Sequence, residues 1–222
     1  MNAARAPIAS VVFDVDSTLT GIEGVDWLAD RRDAATAEFV HRLTEAVMAG
    51  ELPIERAYAA RLDRIAPTRD EMHALATAYG EHTAAGAVET IAALRRGGVR
   101  VVAISGGLLE AVGPFCVSLG IGEQDVHAVA AQWSALGAYA GFDRASPLVT
   151  QTGKAVLLDR LALPRAIIAV GDGSTDVEMK RTGAADLFAA YVGFARRDRV
   201  VAAADFVVET FADLLAHVPR DP

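Results

Sequence analysis

A single cysteine, Cys116, occurs in the 222 residues. That count excludes an intrachain disulfide and a thiolate metal cluster. Cys116 lies in the apolar phrase AVGPFCVSLG and reads as a small buried hydrophobe. Long hydrophobic runs are also missing, and no stretch approaches the length of a membrane span. The apolar residues after Arg5 are interrupted by Asp14 and Asp16 before they reach signal-peptide form. A cytoplasmic location without a membrane partner is expected. Positive charge is scarce: 21 Lys and Arg stand against 29 Asp and Glu, a formal charge of -8. This balance argues against a nucleic-acid surface but leaves room for a small phosphorylated ligand in a local site. No strand is followed by G-x-G-x-x-G, which removes a nicotinamide-binding reading. His41, His73, His82, His127 and His217 are scattered without ligand spacing. No extra regulatory domain is expected.

Apolar residues are abundant, at 52% with much alanine, so an ordered and helix-rich protein is expected. The first strand signal is SVVF, which runs directly into DVDSTLT, residues Ser10 to Thr20. From Glu23 to about Tyr79 the chain reads as successive amphipathic helices, punctuated by Gly50, Pro53 and Pro67. Strands and helices then alternate: VRVVAI, LLEAVGPFCVSLG, KAVLLDRLAL, RAIIAVGDG, TDVEMKRTG, ADLFAAYV, DRVVAAA, DFVV and TFADLLAHV. The stretch VHAVAAQWSALGAYAGF reads as a strand leading into a small hairpin around Gly137. Repeated strand–helix units predict a parallel sheet covered on both faces. In such sheets ligands bind outside the carboxyl ends of the strands. The polar phrases DVDST, SGG and GDGSTD fall at those ends.

Asp14, Asp16, Asp172 and Asp176 would meet in one crevice there, and their mutual repulsion calls for a cation. All-oxygen ligands select magnesium over zinc. Lys154, after Gly153 at a helix start, adds a positive charge. Gly106 and Gly107 leave backbone N–H groups bare before a helix beginning near Leu108, and Ser105 adds a hydroxyl. Amide donors, a lysine, a metal and a free carboxylate suit phosphoryl transfer. One acid can attack phosphorus, while its neighbour one residue away protonates the leaving oxygen and later activates water.

FDVDSTLT, ISGG, GKAVLL and GDGSTDVEM resemble the four motifs of the haloacid dehalogenase superfamily, and the likeness runs through nearly the whole chain. The resemblance implies an α/β, Rossmann-like core over 1–20 and 80–222. It also implies an inserted helical cap, of four-helix-bundle type, over 21–79. It implies that Asp14 is the nucleophile and a metal ligand, and that Asp16 is the acid/base and lends its backbone carbonyl to the metal. Asp172 becomes the second carboxylate ligand of Mg2+, with Asp176 orienting the metal's water and Lys154. Ser105, Gly106, Gly107 and Lys154 hold the phosphoryl group, with Thr175 at its edge.

EGVDWLA, LTEAVMAG, AARL and FDRASP are similar to stretches of superfamily members that act on a phosphorylated amino acid. By that likeness Glu23 faces the substrate ammonium and Arg61 grips its carboxylate. The reaction implied is hydrolysis of O-phospho-L-serine to L-serine and phosphate, in serine biosynthesis, by a monomer or homodimer. Two departures stand out: Ile54 where many relatives carry an aromatic residue, and Thr175 where Asn is common. Ile54 keeps open a related phosphatase acting on a phosphorylated amino alcohol, sugar or glycerate. A receiver-like signalling module shares the strand-end acids, but has no reason for a four-helix insertion. Trp27 and Met48 read as packing residues, and Arg31–Arg32 and Arg95–Arg96 as solvated helix ends.

Overall fold

The computed structural model describes residues 7–218; Arg5 and the outermost ends of the expected core lie outside that range. Its centre is a six-stranded sheet, with every pairing parallel, built from β1 (Ser10–Phe13), β2 (Arg100–Leu108), β3 (Val126–Val129), β6 (Ile167–Gly171), β7 (Leu187–Tyr191) and β8 (Phe206–Val208). The order is β3-β2-β1-β6-β7-β8. Every residue of β1, β6 and β7 is buried, as strands with both faces covered require. The covering helices are α5 (Ala87–Arg96), α6 (Leu109–Ser118), α7 (Gly153–Leu161), α8 (Ser174–Arg181), α9 (Asp198–Ala203) and α10 (Phe211–Ala216). Pro114 is accommodated inside α6. A separate antiparallel hairpin, β4 (Ala131–Trp133) with β5 (Tyr139–Phe142), turns around Gly137 as its sequence predicts. The expected α/β class is observed.

Between β1 and α5 the chain forms four helices: α1 (Gly24–Ala29), α2 (Ala34–Met48), α3 (Ile54–Ile65) and α4 (Arg69–Glu81). Apolar residues at helical spacing bury one face of α3, namely Ile54, Ala57, Tyr58, Leu62 and Ile65, with Arg61 drawn in among them. α2 begins where the Asp33 side chain accepts from Thr36 N–H, and α4 begins in a Thr68–Glu71 capping box. Arg31 is exposed as the solvated reading expects, but Arg32 departs from it. The Arg31 guanidinium stacks over the Trp27 ring at 3.0 Å, while Arg32 donates to Ile65 O and bidentately to Glu71. Hydrogen bonds from Arg32 hold the Glu71 carboxyl down at about 2. Arg32 therefore fastens the end of α1 to α3 and α4, which no local pattern announces.

The insertion leaves and re-enters the core at one place. Thr20 and Thr83 form an antiparallel bridge, Ala84 N donates to Leu19 O, and Gly21 N donates to His82 O. Further up, Tyr58 donates to Gly106 O, and Ser174 to Val47 O. α2 and α3 thus touch α8 and the end of β2, while α4 packs against α6.

Candidate active site

Strand register fixes the site. Phe13 of β1 lies opposite Ala103 of β2 and Val170 of β6, so the residues just beyond each strand converge. Asp14 N–H still donates to Val170 O, at 2.9 Å, and Gly171 and Asp172 follow directly. β1 is also where the strand order reverses, since the chain continues to β2 and β3 on one side and to β6 on the other. A crevice at such a switch point is the expected ligand position.

Lys154, at the start of α7, is buried between two carboxylates: its Nζ is 2.6 Å from Asp14 Oδ1 and 2.7 Å from Asp176 Oδ1. Burial acts to lower the Lys154 pKa, but Asp14 and Asp176 outweigh it and raise the value. Asp176 is pushed up to about 7 by burial and by the Asp14 charge. Its second oxygen accepts from Gly173 N–H, at 3.0 Å. This close approach explains Gly171, where a Cβ would lie 2.3 Å from Asp176 Cγ.

The Asp16 carboxylate turns away from that group. It accepts from Gly24 N–H at 2.6 Å, from the Tyr79 hydroxyl at 2.7 Å, and from Ser105 Oγ at 3.3 Å. Burial raises the Asp16 pKa and the Asp14 charge adds to it, against the hydrogen bond from Tyr79. A side chain at Gly24 would meet the Tyr79 hydroxyl at 2.0 Å, so a glycine is required there. Tyr79 was invisible as a site residue in the sequence, because on α4 it reads as helical core.

Asp14, Asp172 and Asp176 each present an oxygen within 4.8 Å of the others, and all three are buried. Asp172 Oδ1 accepts a long bond from Thr18 Oγ1, 3.4 Å. Asp172 Oδ2 is buried without a directed hydrogen bond among the described residues; the Arg197 guanidinium approaches it as an ion pair. Three neighbouring buried carboxylates, all offering oxygen, fit a hard divalent cation.

Asp14 opens onto a cavity that Asp16, Lys154, Gly106, Gly107, Thr175, Glu23, Ile54 and Arg61 also line, while Asp172 and Asp176 lie outside its lining. Val25, Val47, Met48 and Leu148 supply apolar walls, so Met48 lines the cavity as well as packing. Ser105 is fully buried and lies outside this lining; its Oγ accepts from Gly107 N–H at 2.9 Å and orients that loop. Glu23 accepts from Ser17 Oγ at 2.6 Å and lies 3.8 Å from the Arg197 guanidinium. Burial, with the nearby Asp16 charge, pushes the Glu23 carboxyl up to about 8. Arg61 donates from Nη1 to Thr44 Oγ1 at 3.0 Å, and Thr44 in turn donates to Asp26 at 2.7 Å. Its Nε is buried without a partner among the described residues, and burial lowers its pKa. Arg197 carries no motif and was not singled out from the sequence.

The model of the haloacid dehalogenase-like hydrolases matches residues 11–181, and the chain belongs to that family. Within it, the chain is similar to phosphoserine phosphatases. It is 33% identical over 211 residues to the chloroplastic phosphoserine phosphatase of Arabidopsis thaliana, covering 94% of this chain and 71% of that protein. It is 33% identical over 212 residues to the phosphoserine phosphatase of Rattus norvegicus, covering 94% and 92%. A solved structure described as a phospho-aspartyl intermediate analogue of phosphoserine phosphatase matches with a TM-score of 0.80 at 25% identity, covering 96% of this chain and 100% of that one. No helix among the described residues is long and apolar enough to cross a membrane.

Proposed function

We propose that the protein is a magnesium-dependent phosphatase that hydrolyses O-phospho-L-serine to L-serine and phosphate. The observation that carries the reading is the cavity itself. Two acids and a lysine line it together with an arginine and a glutamate. A phosphate needs the first set, and a zwitterionic amino-acid head needs the second.

Asp14, held by Lys154 and by its hydrogen bond to Val15 N–H, attacks phosphorus and forms an aspartyl-phosphate as the bond from phosphorus to the serine oxygen breaks. Asp16 gives its proton to that serine oxygen. The Asp16 carboxylate then takes a proton from water, the resulting oxygen nucleophile attacks phosphorus, and the bond to Asp14 breaks to release phosphate. A raised Asp16 pKa favours the acid role. The Gly106 N–H, Lys154 and Thr175 hold the phosphoryl oxygens, with Ser105 and Gly107, whose N–H donates to Ser105 Oγ, shaping that loop. Asp14, Asp172 and the Asp16 carbonyl would hold the magnesium, which when bound supplies Lewis-acid charge to the phosphoryl group. The side-chain set that comes together is Asp14, Asp172 and Asp176. Asp176 remains an orienting group in this reading, because its two oxygens already serve Lys154 and Gly173.

In the same reading residues 21–79 form a cap over a core of 1–20 and 80–222, with the Thr20–Thr83 bridge at its base. A cytoplasmic monomer or homodimer completes the proposal. The deciding experiment is phosphate release from a panel of small phosphomonoesters, with and without magnesium. Phosphoserine should be the best substrate, and chelation should abolish turnover. Equal turnover of phosphoethanolamine and glycerol phosphate would favour the broader phosphatase, for which the small Ile54 wall gives a reason.

The titration of Glu23 yields a sharper expectation. A carboxyl pushed up to about 8 is largely protonated at lower pH and cannot pair with an ammonium. KM for phosphoserine should therefore fall as pH rises from about 6.5 to about 8.5, a range in which the substrate's own carboxylate and phosphate keep its amine protonated. 3-Phosphonooxypropanoate, which lacks the amine, should show no such fall. Parallel KM profiles for the two substrates would remove Glu23 from ammonium recognition.

A further inference from the structure

Arg197 stands at the start of α9 but does not cap it; its side chain turns back toward the strand ends. Nη1 donates to the backbone carbonyl of Asp172, at 3.2 Å, and the guanidinium meets the Asp172 carboxylate. On its other side Nη2 lies 3.8 Å from Glu23 Oε1. Only 21% of this side chain is exposed, and the Asp172 carboxylate it meets is fully buried. The loop that carries it is pinned to the inserted helices at a second place, since Arg199 Nη1 donates to Ala49 O at 3.1 Å. The backbone at Arg197 is therefore anchored, with the guanidinium between two carboxylates.

The charges around it show what it does. Asp14, Asp16, Asp172, Asp176 and Glu23 gather within one buried region, and Lys154 is occupied with Asp14 and Asp176. Asp172 takes no share of Lys154 among the described contacts, and Arg197 is the cation against it. We infer that Arg197 is a positioning residue acting as a resident counter-cation: it holds Asp172 while the metal site is empty and competes with the incoming divalent cation for that carboxylate. Glu23, already close to Nη2, is the acceptor to which the guanidinium moves once Asp172 is engaged by metal. The metal site and the ammonium site are thereby linked through one side chain.

This inference rests on the metal-binding reading of Asp14 and Asp172, and the test separates the two. Metal-stripped protein is titrated with Mg2+ by calorimetry for wild type, Arg197→Gln, Arg197→Ala and Arg197→Lys. Removing a positive charge beside the ion should tighten Mg2+ binding by about tenfold in the Gln and Ala variants. The Lys variant should stay within about twofold of wild type, because the charge is retained. The metal-free Gln and Ala proteins should also melt at lower temperature than metal-free wild type, with the gap closing at saturating Mg2+. A purely structural arginine would instead give weaker metal binding on removal. Unchanged or weaker Mg2+ binding in both neutral variants would overturn the inference and leave the phosphatase reading standing. Failure of the wild-type protein to bind Mg2+ would overturn both.

Discussion

Asp14→Asn is expected to lower kcat for phosphoserine by at least about ten-thousandfold while leaving the protein folded. The amide keeps the shape of the carboxylate but has no oxygen able to form an acyl phosphate, so the first covalent step is lost rather than slowed. Folding should survive for an electrostatic reason. Lys154 keeps Asp176 as a partner at 2.7 Å, and neutralising residue 14 relieves its repulsion of Asp16 and Asp176. The loss should therefore come without a drop in melting temperature, and an acid-quenched reaction should trap no phosphorylated enzyme. Retention of more than about a tenth of wild-type turnover by a variant free of contaminating phosphatase would remove Asp14 as the nucleophile. The role of the whole strand-end cluster would then need another account.

The site's floor was legible in the sequence for a physical reason. A carboxylate, a glycine pair or a lysine placed at a strand end interrupts an apolar run, and such interruptions are visible without coordinates. Asp14, Asp16 and Asp172 fall just beyond β1 and β6, which their parallel register brings together, while Ser105 lies within β2, Lys154 starts α7 and Asp176 lies in the first turn of α8. The element order was legible on related grounds, because short continuous apolar runs alternate with period-3.6 patterns after residue 86. The parts that were not legible are those whose partners are remote. Tyr79 looks like any aromatic on a buried helix face until its hydroxyl is seen against Asp16. Arg32 and Arg197 look like ordinary solvated cations; only the tertiary fold gives them Glu71 in one case, and Asp172 with Glu23 in the other. Ser105 was legible as a residue of the site but not in its position: it is buried behind the cavity and shapes the Gly107 amide. Charges that act through long-range pairing leave no local periodicity to read.

Arg61→Ala is expected to separate recognition from chemistry. The Arg61 side chain is buried, its Nη1 is fixed by Thr44, and Nε has no partner among the described residues, so the cavity contains a donor waiting for an acceptor. A substrate carboxylate supplies that acceptor, and a charge-assisted contact of this kind contributes about 2–3 kcal/mol. KM for phosphoserine should thus rise by about thirty- to one-hundred-fold in the variant, with kcat reduced much less. Phosphoethanolamine keeps the phosphate and the ammonium but has no carboxylate; its kcat/KM should change by less than about threefold. Arg61→Lys should recover only part of the loss, since a point charge replaces a planar fork. The comparison also guards against a trivial explanation. Truncating Arg61 leaves Asp26 and Thr44 without its charge and loosens the packing of α3 against α2, which would impair both substrates alike. A selective loss for the carboxylate-bearing substrate can come only from a contact made to that group, whereas equal losses would reduce Arg61 to a strut between two helices.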